Sequence, residues 1–329
     1  MQVYRPAHEP MMKALHTKRL WPWLLLSLWP LSVCGWNKPT HMAIGAIAYR
    51  DLQVKSPRKL ARLVALLRQH PDTKTRWAAT LRDSTLSEDD KNRYLFMLAA
   101  RWPDDIKEPN NPYDHPTWHY INYVYNPAMG MARTDTTLAT GENILQAFEQ
   151  NRQLLKSDAP DSMKAVALCW LLHLAGDVHM PLHTAALISP QFPAGDQGGN
   201  LFKIKVSMSN PTRNLHALWD GMLLSTDRFD AADQLARQLE QAYPRRKAPR
   251  RRKPDIDAWS VESFELARRL SYREGSLLAG TGDNGVVLPA DYLPTMRPVA
   301  EQRVALAGHR LANGLWFDLK KKGWFGLRG

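Results

Sequence analysis

The segment from His173 to His183, HLAGDVHMPLH, limits what this chain can fold into more than any other stretch. It closes an apolar run, AVALCWLLHLAG, and then sets an aspartate between histidines. His173 and Asp177 stand four apart, so on a helix they share one face. Pro181 ends that helix, and His183 can turn back from the loop that follows. An apolar helix gains nothing from burying an aspartate there unless a cation offsets the desolvation. A second pair with the same spacing, His216 and Asp220, lies downstream in NLHALWD. Two His/Asp helical pairs point to zinc, and to more than one ion.

Helical periodicity dominates the rest of the chain. The stretches 40–52, 57–69, 141–156, 162–179, 231–242, 261–270 and 300–319 carry apolar residues at spacings of three and four. The clearest strand is short, near 201–206 after the turn GDQGG. The expected fold is all-α: a mainly helical single domain with at most a short hairpin. No internal repeat and no Gly-rich phosphate loop is visible.

Residues 1–35 read as an export signal, with Lys13, Lys18 and Arg19 ahead of the apolar run LWPWLLLSLWPLSV. Met11 or Met12 as the true start would give a more ordinary signal length. Cys34 after LSV raises a lipoprotein alternative, against which Val33 argues. That run is short for a bilayer and is interrupted by Pro30. Cleavage after Gly35 would leave a domain of residues 36–329, secreted or periplasmic and with no stable membrane association. Only Cys169 would remain, so no internal disulfide could form. The net charge of +12 falls to +9 without the leader, which carries four basic residues and one acidic residue. Much of that excess sits in PRRKAPRRRKP, residues 244–254. Proline on both sides marks it as a solvated, flexible loop, with an arm that attracts nucleic-acid phosphates as the functional alternative.

Besides the two pairs, ligand candidates are His41, Asp104 in RWPDDIK, and His119 in WHYINY. WNKPTH, WPDDI, HYIN, HLAGDVHMPLH, DQGGN, NLHALWD, WSVES and LAGHRLA occur in this order across residues 36–329. Together they resemble the S1/P1 family of zinc-dependent single-strand nucleases, distantly akin to bacterial zinc phospholipases C. The resemblance implies three zinc ions. The first would take Asp104, His119, His173 and Asp177, and the second His183, His216 and Asp220. The third would take the freed amine and carbonyl of Trp36, with His41 and a bridging Asp177. Asp105 follows Asp104 directly, and an exchange of the two stays open. His179, His115, His70 and His309 are read as structural or as neighbours of the site.

The implied reaction is attack of zinc-activated hydroxide on phosphorus, cleaving single-stranded DNA or RNA to 5′-nucleotides and also hydrolysing 3′-nucleotides. Asp104 would orient the attacking water. Lys107 would neutralise phosphate charge as a point charge, or else be an ordinary surface lysine. Tyr120 and Asn122 would bind the base, by stacking and by hydrogen bonding, although Tyr120 could equally pack in the core. A monomer is expected. The alternatives are a zinc phospholipase C, which Asp220 and the short gap from Trp36 to His41 disfavour, and a non-catalytic zinc-stabilised nucleic-acid-binding protein.

Overall fold

The run from Ala165 to Gly176 is apolar on every face, and a helix of that kind is stable only at the centre of a bundle. In the computed structural model this run lies within helix α6 (Asp161–Asp177), with every residue from Ala165 to Asp177 buried. The structure describes residues 35–139, 141–245, 255–282 and 284–318. The expected leader therefore lies outside the described residues except for Gly35, as does most of the basic run, from residue 246 to residue 254. All described residues belong to one compact unit.

Around α6 pack α1 (Lys38–Lys55), α2 (Pro57–Leu67), α4 (Glu88–Asp105), α5 (Ile144–Lys156) and α10 (Tyr292–Asp318). The short α3 (Ala78–Arg82) lies against α4, and α8 (Phe229–Ala242) against α1 and α10. α7 (Leu215–Asp220) and α9 (Ile256–Leu266) complete the helices among the described residues. The mainly helical expectation is borne out. α4 is absent from the periodic stretches read from the sequence, although it is a major neighbour of α1 and α6. Its signals are local instead. The Ser87 hydroxyl accepts from the Asp90 amide at 3.1 Å, and Glu88, Asp89 and Asp90 fill the first turn, where the helix dipole favours negative charge. Pro103 stands inside the last turn and obscures the pattern.

α1, α4 and α8 are tied by one buried carboxylate. Asp233 accepts from Arg50 at 2.6 Å, Arg93 at 3.0 Å and Arg237 at 3.1 Å. Such a carboxylate is tolerated because both of its oxygens meet cationic donors.

Among the described residues two three-stranded sheets accompany the helices, somewhat more than a single hairpin. The first has the order β2-β1-β3, from β1 (Tyr123–Asn126), β2 (Met131–Thr137) and β3 (Ala185–Leu187). β1 runs antiparallel to β2 and parallel to β3, with Tyr123 opposite Ala185. The same ladder continues upstream: Ile121 N–H donates to the His183 carbonyl at 2.9 Å and Tyr123 N–H to Thr184 at 2.8 Å. It thus lays the segment after His119 alongside His183. The second sheet has the order β5-β4-β6, from β4 (Lys203–Lys205), β5 (Arg213–Asn214) and β6 (Val286–Val287). β4 falls within the strand expected at 201–206. β5 leads into α7, whose first turn is capped by Asn214, its side chain accepting from the Ala217 amide at 2.6 Å.

Candidate metal centre

Each His/Asp element of the sequence reaches one buried region through a local device. In WNKPTH, the Asn37 side chain accepts from the Thr40 amide at 3.2 Å and Pro39 enters the first turn, so α1 starts where His41 points inward. α4 ends at Asp105 and delivers Asp104, while a 3₁₀ turn from Pro116 to His119 delivers His119. α6 carries His173 and Asp177 at the expected spacing of one turn. After Pro181 a second 3₁₀ turn returns His183, and α7 supplies His216 and Asp220.

These eight side chains form three groups whose ligand atoms lie within 4.8 Å of one another: His41–Asp104–His173, His119–His173–Asp177 and His183–His216–Asp220. The third is the expected second-ion set. The first two share His173 and together contain the four residues expected for the first ion, with His41 among them rather than apart. Asp177 is the junction. Its Oδ2 lies 2.9 Å from His119 Nδ1 and 3.0 Å from His173 Nε2, and its Oδ1 lies 3.2 Å from His41 Nε2 and 3.7 Å from His183 Nδ1.

Backbone carbonyls orient the imidazoles. His173 Nδ1 pairs with the Ala100 carbonyl at 2.9 Å, His183 Nδ1 with His119 at 2.6 Å, and His216 Nδ1 with Gly198 at 2.6 Å. A carbonyl can only accept, so each Nδ1 carries a proton and each Nε2 is the nitrogen left to offer a lone pair to a cation; without a cation, His173 Nε2 can instead donate to Asp177 Oδ2. Gly176 is glycine because His41 comes so close: a Cβ there would stand 2.8 Å from His41 Nδ1.

The region fits bound cations on its own chemistry. Both His41 ring nitrogens, His119 Nε2 and Asp177 Oδ1 are buried without a well-aligned hydrogen bond among the described residues. Buried polar groups of that kind are costly unless an ion or water satisfies them. Burial pushes the Asp177 carboxyl up, but His173, His183 and the hydrogen bonds from His119 and His173 together hold it well below the usual carboxylate range. Burial lowers His41, and burial with Lys107 lowers His119 to about 3, which leaves both rings neutral. Neutral imidazole with ionised carboxylate is a donor set suited to zinc and similar divalent ions.

Of Asp104 and Asp105, only the first turns toward the centre. Asp104 is buried and its Oδ1 lies 3.8 Å from His173 Nε2. Asp105 turns away to Arg101 at 2.9 Å and Lys38 at 2.8 Å. Lys107 Nζ lies 2.6 Å from Asp104 Oδ1, so it borders the centre rather than open surface. Tyr120 is half-buried, between the two positions expected for it, with burial raising its phenol pKa. Asn122 adopts a left-handed φ of 54°, and its Oδ1 would lie 3.5 Å from a Cβ on Gly198. It therefore borders the loop that orients His216.

Gly35 is buried against the centre. A Cβ there would stand 1.8 Å from Asp177 Oδ1 and 2.6 Å from His183 Cε1. Trp36, fully buried, follows directly. The remaining histidines among the described residues are accounted for by packing. His179 Nδ1 pairs with the Ala175 carbonyl at 2.7 Å, His115 stacks on Trp118 with ring centroids 3.8 Å apart, and His70 stacks on Trp77 at 4.5 Å. His309 Nδ1 lies 3.0 Å from Asp51 Oδ2.

Sequence reasoning passed over Asp196, in DQGGN. Fully buried, it accepts from the Leu187 amide at 2.9 Å and the Tyr272 hydroxyl at 2.8 Å. It thereby folds the loop whose Gly198 carbonyl orients His216. The one available signal was an acidic residue ahead of a glycine pair, which reads as a turn.

A profile of the S1/P1 nuclease family matches residues 36–316. The chain is 31% identical over 259 residues to Endonuclease 3 of Arabidopsis thaliana, covering 69% of this chain and 78% of that protein. It is 29% identical to Endonuclease 5 of the same plant, covering 64% of this chain and 73% of the relative. It is 27% identical to Nuclease S1 of Aspergillus oryzae, covering 70% and 80%. A match along nearly the whole described chain, carrying the eight converging side chains with it, makes this protein a member of the S1/P1 nuclease family, a hydrolase that acts on nucleic acids.

Proposed function

We propose that the protein is a zinc-dependent phosphodiesterase that cleaves single-stranded DNA or RNA to 5′-nucleotides and also hydrolyses 3′-nucleotides. The observation that carries this reading is the convergence of eight buried His and Asp side chains, several with unsatisfied polar atoms, around Asp177. Asp104, His119, His173 and Asp177 would hold one ion, and His183, His216 and Asp220 a second. Trp36 and His41 would share a third with Asp177. When bound, such ions activate water for attack on phosphorus and neutralise phosphoryl charge.

The chain's own residues then do the following. Asp104 accepts a hydrogen bond from the attacking water, while Lys107 beside it offers an ammonium to a phosphoryl oxygen. Tyr120 and Asn122 are each half-buried on either side of the buried Ile121, so both keep surface that a base can meet. An unpaired base can reach such a half-buried ring, and a paired one cannot without leaving its duplex.

We further propose that residues 1–35 are an export signal, that the enzyme acts outside the cytoplasm as a monomer, and that the chain working there begins at Trp36. Two findings support the last point: Gly35 lies against Asp177 and His183, and the family match begins at residue 36. No helix among the described residues is long and apolar enough to cross a membrane.

The test is to assay the chain beginning at Trp36, with metal content measured, on single-stranded DNA, a 3′-nucleotide and phosphatidylcholine. Cleavage of the first two with zinc bound is expected. Hydrolysis of the lipid alone would overturn the proposal in favour of a phospholipase.

A further inference from the structure

Helix α6 ends at Asp177, and a helix end leaves backbone carbonyls without partners. Here the chain must run on from Asp177 to His183, two residues assigned to different ions, through a turn of five residues. That turn is gripped from outside the centre. Arg303 Nε donates to the His179 carbonyl at 3.1 Å. A second guanidinium nitrogen of Arg303 donates to Ser263 Oγ at 2.7 Å, and Ser263 Oγ donates to the Val178 carbonyl at 2.5 Å. The third Arg303 nitrogen reaches Glu262 at 3.2 Å. Glu262 also accepts two hydrogen bonds from Arg310, at 2.6 and 2.8 Å.

Arg310 grips the same turn by its side chain. His179 Nδ1 faces the Ala175 carbonyl, which can only accept, so His179 Nε2 is the acceptor for Arg310 at 3.0 Å. Two successive carbonyls beyond Asp177 and one ring are therefore held by α9 and α10. Arg303 is buried, and its planar fork meets three acceptors in three directions, a task a lysine ammonium cannot perform with the same geometry. Cationic donors at a helix C-terminus also match the negative end of its dipole. This gives WSVES and LAGHRLA, which contain Glu262, Ser263 and Arg310, a task that no ligand or substrate contact supplies.

We infer that Arg303, braced by Glu262 and Arg310, is a positioning residue of the metal centre: it locks the turn from Val178 to His183 and so sets the separation of Asp177 from His183. The inference rests on the proposed reading of those two residues as cation ligands. Its first measurable consequence does not.

The test compares the chain beginning at Trp36 with its Arg303→Met, Arg303→Lys and Asp233→Asn variants. The last breaks the ion cluster that joins α1, α4 and α8 and contains none of the residues placed at the centre. Hydrogen exchange is followed in the turn, where the Met180, His183 and Thr184 amides donate to Asp177, Met180 and Pro181. Zinc retention against chelator and kcat and KM on single-stranded DNA are read alongside. With Arg303→Met, turn exchange is expected to rise at least ten-fold and half of the zinc to leave at ten-fold less chelator. kcat should fall ten-fold with KM changed less than two-fold, and Arg303→Lys should recover part of each loss. Asp233→Asn should leave turn exchange and zinc retention at the wild-type level.

Unchanged turn exchange in Arg303→Met would overturn the inference. So would equal losses of zinc and rate in Arg303→Met and Asp233→Asn at matched melting temperature. Should Arg303→Met fail to fold, Ser263→Ala removes one grip on Val178, and a three-fold rise in turn exchange is the result expected of it. Wild-type protein that binds no zinc would sink the metal reading, while the exchange comparison would still decide the role of Arg303.

Discussion

Replacing Tyr272 by phenylalanine probes the loop behind His216 at a position remote from any ligand. Tyr272 is fully buried, and its hydroxyl donates to Asp196 Oδ2 at 2.8 Å. Burial pushes the Asp196 carboxyl up to about 6 from 3.8, against the pull of hydrogen bonds from Leu187, Tyr272, Gly199 and Gly198. The folded carboxyl therefore holds its proton to higher pH than the unfolded one. Stability from this group is greatest below about pH 4 and is lost as pH rises through about 6, a difference of about 3 kcal/mol at 1.36 kcal/mol per unit.

Above that window Asp196 is ionised, and losing a donor to a buried charge costs about 1.5–3 kcal/mol. Below it the carboxyl is neutral and the same loss costs about 0.5–1.5 kcal/mol. Phenylalanine fills nearly the same volume, so no cavity term confuses the comparison. Urea unfolding of wild type and Tyr272→Phe at about pH 7.5 and about pH 5, with matched cation content and equal m-values, should show the larger gap at the higher pH. Because Asp196 folds the loop that orients His216, the variant should also lose the ion of His183, His216 and Asp220 before the others. A gap that is the same at both pH values, or below about 0.5 kcal/mol at the higher one, would refute the reasoning.

Removing the junction should be more drastic. Asp177→Asn or His173→Ala should abolish nuclease activity and lower zinc content, as measured by turnover and elemental analysis, and a variant with full zinc and full rate would discredit the assignment. Lys107→Met should lower kcat about 100-fold on removal of one charged donor, with Lys107→Arg restoring much of it. An unchanged rate in the methionine variant would return Lys107 to the surface. Tyr120→Ala should weaken binding of single-stranded DNA by about 1–3 kcal/mol per stacked base, read from equilibrium binding with calcium in place of zinc. A chain that keeps Gly35 should retain less zinc than one that begins at Trp36, and equal zinc content in the two would remove the amine from the ligand set.

Much of this centre was legible in the residues alone, because metal ligation demands side chains of few types at helical spacings. The four-residue steps from His173 to Asp177 and from His216 to Asp220 survive folding unchanged, since a helix turn sets both. Pro181 marked the break that returns His183. The order of motifs carried His41, Asp104 and His119 only through the family resemblance, because nothing local ties three such residues together. α4 escaped the periodicity because its end is occupied by polar residues serving the centre and by Pro103.

By itself the sequence determined the helical class, the His and Asp side chains that converge and the family, since these depend on residue type, spacing and order along the chain. Only the tertiary structure decided which of Asp104 and Asp105 turns inward, that His41 stands with Asp104 and His173, and that Asp196 and Arg303 bond to the loops behind the converging side chains. Those outcomes depend on contacts between segments distant in the chain, such as the hydrogen bond from Arg303 to His179, 124 residues away. A buried carbonyl or carboxylate takes whichever donor the packing brings within reach, and no spacing along one segment records which donor that is.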